Sequence, residues 1–362
     1  MTLEIENVQA YSTFKDMGKV NFVPGYKKII VHFVFAVKHD LRHKARLVAG
    51  GHLTDPTMEG SYSSVVSLRS LRICLTAAEL NGLDTMVGDI TSAYLEAETT
   101  EKVCFTAGPE FGALEGHTFI IFKALYGLRT SGASWHHRFS DTLRDLGYFP
   151  CKADPDVWIK DCDTHYEYVC VYVDDIMHMS KNPQAFFDAL KSTYNYKLAG
   201  VGEPSYHLGG NFYRDPDGTL AWGAQTYVKK MLLAYEKLFG TSPKEFSCPI
   251  AEGDHPELDL TPELDANGIK LYQSLIGALQ WAVTLGRFDI FIGVATMSSF
   301  RIAPRQGHLD RLKRMYGYLK RQPDGAIRFR TGIPDHDSRD TPKEYEWINS
   351  VYGCHTEELP SD

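Results

Sequence analysis

The sequence has 362 residues, with 46 acidic and 38 basic side chains and a formal net charge of −8. Hydrophobic residues make up 43% and charged residues 23% of the chain, which excludes a disordered or collagen-like protein and is typical of a folded one. The negative total by itself argues against a nucleic-acid partner, because binding to phosphates requires local positive charge.

The seven cysteines are scattered, odd in number and include no Cys-x-x-Cys pair. We therefore expect neither a zinc site nor a disulfide framework, and we expect an intracellular, reducing location. No stretch reaches the length of about 20 apolar residues that a membrane span needs. The N-terminal segment lacks the apolar core of a signal peptide.

The charge is distributed unevenly along the chain. Residues 19–46 hold seven basic residues and one acid, and residues 287–330 hold ten basic residues and three acids. The last 32 residues hold eight acids and two bases, so without them the net charge is −2. Each basic block could be an ordinary solvated surface or a phosphate-binding surface.

The predicted elements of the first two-thirds are strands and helices in alternation. Residues 27–39 predict a strand, residues 39–43 a polar turn and residues 44–49 the returning strand. Residues 67–80 predict a helix with Ser67 as its N-cap and Gly82 after its end. Beyond it we expect strands at 85–90, 166–173, 176–179, 206–213 and 219–223, a turn at 96–100, and helices at 133–147 and 184–195.

The last third predicts mostly helices, at 226–239, 271–285, 288–300 and 304–321. Pro304 suits the start of the last one. The fold class is therefore predicted to be α+β, with a mostly helical C-terminal third.

Three aspartates follow apolar, strand-like runs. Asp174 and Asp175 occupy a predicted hairpin turn, and Asp89 ends a short strand. Paired carboxylates in a turn are often plain turn chemistry, but a third acid facing the same cleft would form a two-metal site for phosphoryl transfer. Tyr94 would lie beside that cleft, or it is simply a core aromatic residue.

The segments that carry these residues, 89–94 and 172–175, resemble motifs A and C of reverse transcriptases, most closely those of copia-type (Pseudoviridae) retrotransposons. Further segments resemble that family in its own order: 44–49, 62–67, 123–128 followed by Trp135, 206–210, 272–279 and the basic helix 311–320. The matches extend from about residue 5 to about residue 330, nearly the whole chain.

The resemblance implies a right-hand polymerase with fingers, palm and thumb. Its activity would be RNA-directed DNA synthesis from dNTPs on a primed RNA or DNA template, with two Mg²⁺ ions (or Mn²⁺). Asp89, Asp174 and Asp175 would be the catalytic carboxylates. Asp89, Asp174 and the carbonyl of Ile90 would bind metal.

The resemblance also implies roles around this centre. Four residues would bind the nucleotide: Lys44, Arg46, Tyr94 and Thr130. Among them, Tyr94 would exclude a ribonucleotide 2′-OH. Leu208 and Gly209 would form the primer grip. Contacts to the nucleic-acid backbone would come from Arg311, Lys313, Arg314, Lys320 and Arg321.

The chain departs from the family's pattern after residue 128. Thr130 stands where the family has a Gln that helps to position the template base and nucleotide, and Gly132 stands where it has Pro. These changes put fidelity and rate in doubt.

Three domains follow from the resemblance. Residues 1–240 would form fingers and palm, 241–330 an acidic linker and helical thumb, and 331–362 an acidic connector to an absent RNase H domain. RNase H and integrase domains of a parent polyprotein are the expected partners, with a cytoplasmic particle as the location. The chain is interpreted as a polyprotein fragment or a truncated genomic copy.

Two alternatives remain open. The chain could be a catalytically silent remnant that folds and binds nucleic acid, as the departures at 130 and 132 suggest. It could also be a small-molecule nucleotidyltransferase, although that leaves the basic C-terminal helices unexplained.

Overall fold

The computed structural model describes residues 1–37, 43–54 and 60–332, which form a mixed helix and strand fold. The helices are α1 (Thr2–Ala10), α2 (Leu68–Leu80), α3 (Ser131–Asp145), α4 (Pro183–Ser192), α5 (Gln225–Phe239), α6 (Ala266–Thr284), α7 (Phe291–Ser298) and α8 (Gln306–Arg321). The strands are β1 (Phe14–Asp16), β2 (Lys27–Lys28), β3 (Val31–Val37), β4 (His43–Ala49), β5 (Asp84–Ile90), β6 (Val103–Thr106), β7 (Thr118–Ile121), β8 (Phe149–Pro150), β9 (Val157–Asp161), β10 (Tyr166–Tyr172), β11 (Asp175–Ser180), β12 (Leu198–Gly202), β13 (Tyr206–His207), β14 (Gly210–Arg214), β15 (Leu220–Gly223) and β16 (Ala326–Phe329).

A central antiparallel sheet has the strand order β12-β5-β11-β10-β9-β8. The hairpin of β10 and β11 lies in its middle, and β5 pairs with β11 from the other side. Since successive side chains of a strand point to opposite faces, both faces of this apolar hairpin can be covered.

The two faces of the sheet pack against different helices. Val169 and Val171 of β10 belong to the core that contains Trp135 of α3 and Phe187 of α4. Cys170, between the two valines, belongs to the core formed with α2. This alternation explains why β10 is apolar along its length although it is a strand of an antiparallel sheet.

Helix α2 follows the predicted pattern. The Ser67 hydroxyl accepts a hydrogen bond from the Ser70 amide at 3.1 Å, as an N-cap does. Leu71, Leu75 and Ala78 are completely buried on one face of the helix.

Helices α5 to α8 share one apolar core. Val228 and Tyr235 of α5 pack with Tyr272 of α6 and Tyr316 of α8. The domain boundary at residue 240 stays a prediction, and this apolar core extends across it. A smaller sheet has the order β13-β14-β15-β16. Its first three strands precede these helices in the chain, and β16 follows them and pairs with β15.

Most predicted elements are present, and four are wrong in detail. The strand predicted at 27–39 is two strands, β2 and β3, which belong to different sheets. The strand predicted at 206–213 is broken at Leu208 and Gly209, which both have positive φ. The helix predicted at 288–300 is a 3-10 turn followed by α7. Pro304 precedes the N-cap Arg305 of α8 and is not its first residue.

Some predictions fall on residues that the structure does not describe. Residues 38–42 include most of the predicted polar turn, and 333–362 include nearly all of the acidic tail. Within the described ranges, none of the helices combines the length and the apolar character that crossing a membrane would require.

Candidate active site

The turn between β10 and β11 presents Asp174 at the edge of a cleft. Tyr172 and Asp175 are the last cross-strand pair, so Val173 and Asp174 form a two-residue turn. Val173 has φ of +59°, which is uncommon for a β-branched residue and costs about 1–3 kcal/mol. The Trp135 indole N–H donates to the Val173 carbonyl at 2.8 Å. The buried tryptophan thus helps to hold the strained turn.

The end of β5 lies beside this turn. Asp89 is the cross-strand partner of Asp175, and the Ile90 amide donates to the Asp174 carbonyl at 2.9 Å. Asp89 and Asp174 line the same cleft. The structure therefore brings together the three aspartates that the sequence singled out, although they come from separate parts of the chain.

The electrostatics of this cluster suit a divalent cation. Burial, followed by the charges of Asp174 and Asp89, raises the pKa of Asp175 to about 6. Carboxylate oxygens from two strand ends are hard ligands of the kind that Mg²⁺ prefers, and a cation would offset their mutual repulsion. The residues present therefore fit the metal that the sequence predicts.

Two cationic side chains share the cleft with the aspartates. Lys44 and Arg46 of β4 line it together with Asp89 and Asp174. The Arg46 guanidinium carbon lies 5.4 Å from the centre of the Tyr126 ring, and its Nε is buried without a hydrogen-bond partner among the described residues. Such an orphaned donor is costly unless a ligand accepts from it.

The segment 123–128 anchors β4 to the rest of the site. The Ala49 amide donates to the Tyr126 carbonyl at 2.7 Å. Gly127 has φ of +90°, and a Cβ there would meet the Ala49 carbonyl oxygen. Only glycine combines this conformation with such a close backbone approach, which explains the glycine of this segment.

Tyr94 lies beside the cleft, as its position after Asp89 led us to expect. It belongs to the 3-10 turn Ala93–Glu96 and lines an adjoining cavity that shares Arg46, Tyr126 and Asp174 with the cleft. Its ring centre lies 5.1 Å from that of Tyr126. Burial, followed by the charge of Asp174, raises the pKa of the Tyr94 hydroxyl, so the ring is neutral at physiological pH.

Several residues of the site were not assigned from the sequence. Glu4 and Asn7 of α1 line the cleft, as does Tyr126. The Asn7 amide donates to the Ser92 hydroxyl at 3.0 Å, and Glu4 accepts from the Leu47 amide at 3.3 Å. Tyr126 lies in the segment 123–128, which resembles the family, so the sequence could have indicated it as a site residue. Helix α1 carries no motif that points to the site.

Thr130 lies at the start of α3 and makes an internal contact. It is buried, and both its amide and its hydroxyl donate to Glu101 Oε1 at 2.9 Å. Its contact with the nucleotide stays a prediction, and the contact with Glu101 is one that the sequence did not indicate.

Leu208 and Gly209 form a tight turn between β13 and β14. His207 and Gly210 close it, and φ values of +46° and +87° at the two central residues are typical of a type I′ hairpin turn. A Cβ on Gly209 would lie 3.2 Å from the Leu285 side chain. The turn therefore packs against the end of α6.

The basic residues of α8 differ in their surroundings. Arg311 donates to Asp254 at 2.7 Å and also contacts Asp259, and the hydrogen bonds to Asp254 raise its pKa. Its role at the nucleic-acid backbone stays a prediction, and two carboxylates already pair with its guanidinium.

The other four predicted positions have fewer carboxylate partners than Arg311 among the described residues, and Lys320 pairs with Glu245 at 3.7 Å. Lys313 pairs with Asp310 of the same helix at 3.1 Å. The Arg314 guanidinium donates to the Cys248 carbonyl, and Lys320 Nζ donates to the Pro243 carbonyl at 3.3 Å. Arg321 is exposed at the end of α8.

Comparison with known proteins decides the family. The family model described as reverse transcriptase (RNA-dependent DNA polymerase) matches residues 16–247. The chain belongs to the reverse transcriptase family, in its copia-type branch. The matched range includes the three aspartates, both cations of the cleft and Tyr94, so the resemblance stated from the sequence is confirmed.

The relatives are polyproteins and proteins of retrotransposons. The chain is 27% identical over 296 residues to the retrovirus-related Pol polyprotein from transposon RE1 of Arabidopsis thaliana, covering 80% of this chain and 20% of the relative. It is 26% identical over 253 residues to the putative transposon Ty5-1 protein of Saccharomyces cerevisiae, covering 67% and 79%. It is also 26% identical over 340 residues to the Pol polyprotein from transposon TNT 1-94 of Nicotiana tabacum, covering 88% and 25%. The chain thus spans about a fifth of the RE1 polyprotein.

Proposed function

We propose that this reverse transcriptase chain is an active RNA-directed DNA polymerase, which adds dNTPs to a primer 3′-OH on an RNA or DNA template. One observation carries the proposal: Asp89 and Asp174 lie in the same cleft as Lys44 and Arg46. Such a cleft offers oxygen ligands to metal on one side and cations to a triphosphate on the other.

Asp89, Asp174 and the carbonyl of Ile90 would hold two Mg²⁺ ions. When bound, these ions would acidify the primer hydroxyl and neutralise the triphosphate and the leaving pyrophosphate. The backbone hydrogen bond from the Ile90 amide to the Asp174 carbonyl supports this role, since it joins the turn to the end of β5. Asp175 is half-buried beside them and would shape the potential of the site.

Lys44 and Arg46 would bind the triphosphate of the incoming nucleotide. Arg46 is the better-supported of the two, because its buried Nε has no partner among the described residues and a guanidinium matches phosphate oxygens in a bidentate geometry. The Tyr126 ring beneath it would limit its movement.

Tyr94 would discriminate between the deoxyribose and the ribose of an incoming nucleotide. Its ring shares a cavity with Asp174 and Tyr126, and a nucleotide sugar bound there would bring a 2′-OH against the ring. We therefore propose that it excludes ribonucleotides.

The template and primer would lie across the cleft toward α8. The turn of Leu208 and Gly209 would support the primer end, and Lys313, Arg314, Lys320 and Arg321 would contact backbone phosphates. In this arrangement the cleft region is the palm, β3 and β4 are part of the fingers, and α5 to α8 form the thumb. RNase H and integrase domains of a parent polyprotein would be its partners.

Primer extension tests the proposal. The purified chain, given a homopolymer RNA template, a DNA primer and the complementary dNTP, should extend the primer with Mg²⁺ and not with EDTA. Binding of the same duplex is measured in parallel by fluorescence anisotropy. Binding without any Mg²⁺-dependent or Mn²⁺-dependent extension would overturn the proposal in favour of a silent remnant.

A further inference from the structure

The loop that joins β9 to β10 brings three different metal-ligand types together. Cys162 and His165 lie in the loop, and Glu167 lies near the start of β10. One sulfur, one nitrogen and one oxygen atom from these residues all lie within 4.8 Å of one another. We propose that Cys162, His165 and Glu167 form a Zn²⁺ site that ties this loop to the central sheet.

His165 provides an observation that points to a ligand. Its Nε2 is buried and has no hydrogen-bond partner among the described residues, and it lies 3.9 Å from Glu167 Oε1. Its other nitrogen, Nδ1, lies 3.0 Å from the Thr164 hydroxyl. With the Nδ1 proton donated to Thr164, Nε2 presents its lone pair to the site, as in other metal-binding histidines.

Glu167 is oriented from outside the ligand set. The Tyr148 hydroxyl donates to Glu167 Oε2 at 2.9 Å, which leaves Oε1 on the side of His165. The buried Tyr148 oxygen also lies 2.8 Å from His178 Nε2. Carboxylate ligands in metal sites are commonly held by such neighbouring hydrogen bonds.

The mixture of ligands identifies the metal. A thiolate, an imidazole and a carboxylate suit Zn²⁺, whereas Mg²⁺ prefers oxygen ligands only. Bonds of about 2.0–2.3 Å to a tetrahedral ion place its ligand atoms about 3.3–3.8 Å apart, so small side-chain rotations close the set. Water would take the fourth position. A search for paired cysteines overlooks this site, because only one cysteine takes part.

The site is remote from the proposed catalytic cleft. It lies at the start of β10, whereas Asp174 follows the end of that strand; the seven residues of β10 cover roughly 20 Å at about 3.3 Å each. The inference therefore does not depend on polymerase activity, and the two can fail separately.

Cobalt is the spectroscopic probe for the test. The purified chain is reduced, stripped with a chelator and titrated with Co²⁺. We expect one equivalent to produce tetrahedral visible bands and a thiolate-to-cobalt charge-transfer band, both removed by Zn²⁺. Zn²⁺ alone should also raise the melting temperature.

Variants locate the site. Cys162→Ser should abolish the charge-transfer band, and His165→Gln should weaken Co²⁺ binding at least about 10-fold. Cys248→Ser, at an exposed cysteine elsewhere, and Asp174→Asn should both retain the band. Circular dichroism checks that each variant is folded. A reduced wild-type protein without the band, or a band of equal strength in Cys162→Ser, would overturn the proposal.

Discussion

Asp89 and Asp175 are direct cross-strand partners in the antiparallel register of β5 and β11. This single pairing brings the end of β5 beside the turn that carries Asp174. A shift of one residue would move every side chain of β5 to the opposite face of the sheet, so the register of β5 on β11 is what assembles the acidic cluster.

Replacement of Tyr94 by Ala should reduce discrimination against ribonucleotides. Removal of the ring opens the space that a 2′-OH would occupy, so the ratio of kcat/KM for dNTP to that for rNTP should fall by about 10–200-fold. Steady-state single-nucleotide incorporation measures both values. Tyr94→Phe is the control, because it keeps the ring and should keep the ratio. An active Tyr94→Ala enzyme with the wild-type ratio would rule out this role.

Replacement of Gly127 by Ala should destabilise the protein by about 2–4 kcal/mol. The reason is twofold: φ is +90°, and the new Cβ would meet the Ala49 carbonyl oxygen. Urea unfolding gives the free energy of unfolding. Gly277→Ala is the matched control, because its Cβ meets open space in α6 and a helical alanine should stabilise by up to about 1 kcal/mol. Equal stability of the Gly127→Ala variant and the wild type would contradict the close approach of Gly127 to the Ala49 carbonyl.

His207 should make the protein less stable as the pH falls. It is buried next to the turn of Leu208 and Gly209, and burial lowers its pKa to about 4. Between the unfolded pKa of about 6.5 and the folded pKa, the unfolded state binds the extra proton. Stability should therefore fall by about 1.4 kcal/mol per pH unit from this residue.

His207→Gln isolates that effect, since glutamine does not titrate. Urea unfolding of both proteins between pH 7 and pH 4.5 should give a difference in unfolding free energy that moves steadily in favour of the variant as pH falls. A difference that does not change with pH would show that His207 titrates alike in both states.

Arg311 and Arg321 should separate a structural role from a phosphate-binding role. Arg311→Ala leaves Asp254 and Asp259 without their partner and should destabilise by about 2–4 kcal/mol, with no change in how affinity for a primed template depends on salt. Arg321→Ala should leave stability unchanged and reduce the slope of log affinity against log salt by about 0.9. A loss of stability in Arg321→Ala together with a reduced salt slope in Arg311→Ala would contradict both assignments.

The sequence predicted the local parts of the site well and the long-range parts poorly. Strand ends and a two-residue turn leave local patterns, so the sequence indicated that Asp89, Asp174 and Tyr94 lie near one another. The contact of Thr130 with Glu101 was not foreseen, because Glu101 comes from a different part of the chain. The same limit applies to α1 and β16: α1 carries no motif, and β16 exists through its pairing with β15, which no local pattern reports.

Arg311 shows a second limit. A basic residue on a basic helix looks like a phosphate ligand in the sequence, yet the acidic segment 249–265 folds back to neutralise it. A block of basic residues predicts a binding surface only where no acidic segment packs against it. Whether one does depends on tertiary packing.

The most direct test of the polymerase proposal is Mg²⁺-dependent primer extension by Asp174→Asn, compared with Asp217→Asn. Asp217 is an exposed turn aspartate of another hairpin and makes a matched control. We expect Asp174→Asn to lose at least about 10³-fold in rate while it still binds the primed template, and Asp217→Asn to match the wild type. Extension by Asp174→Asn at the wild-type rate would contradict the assignment of the catalytic site.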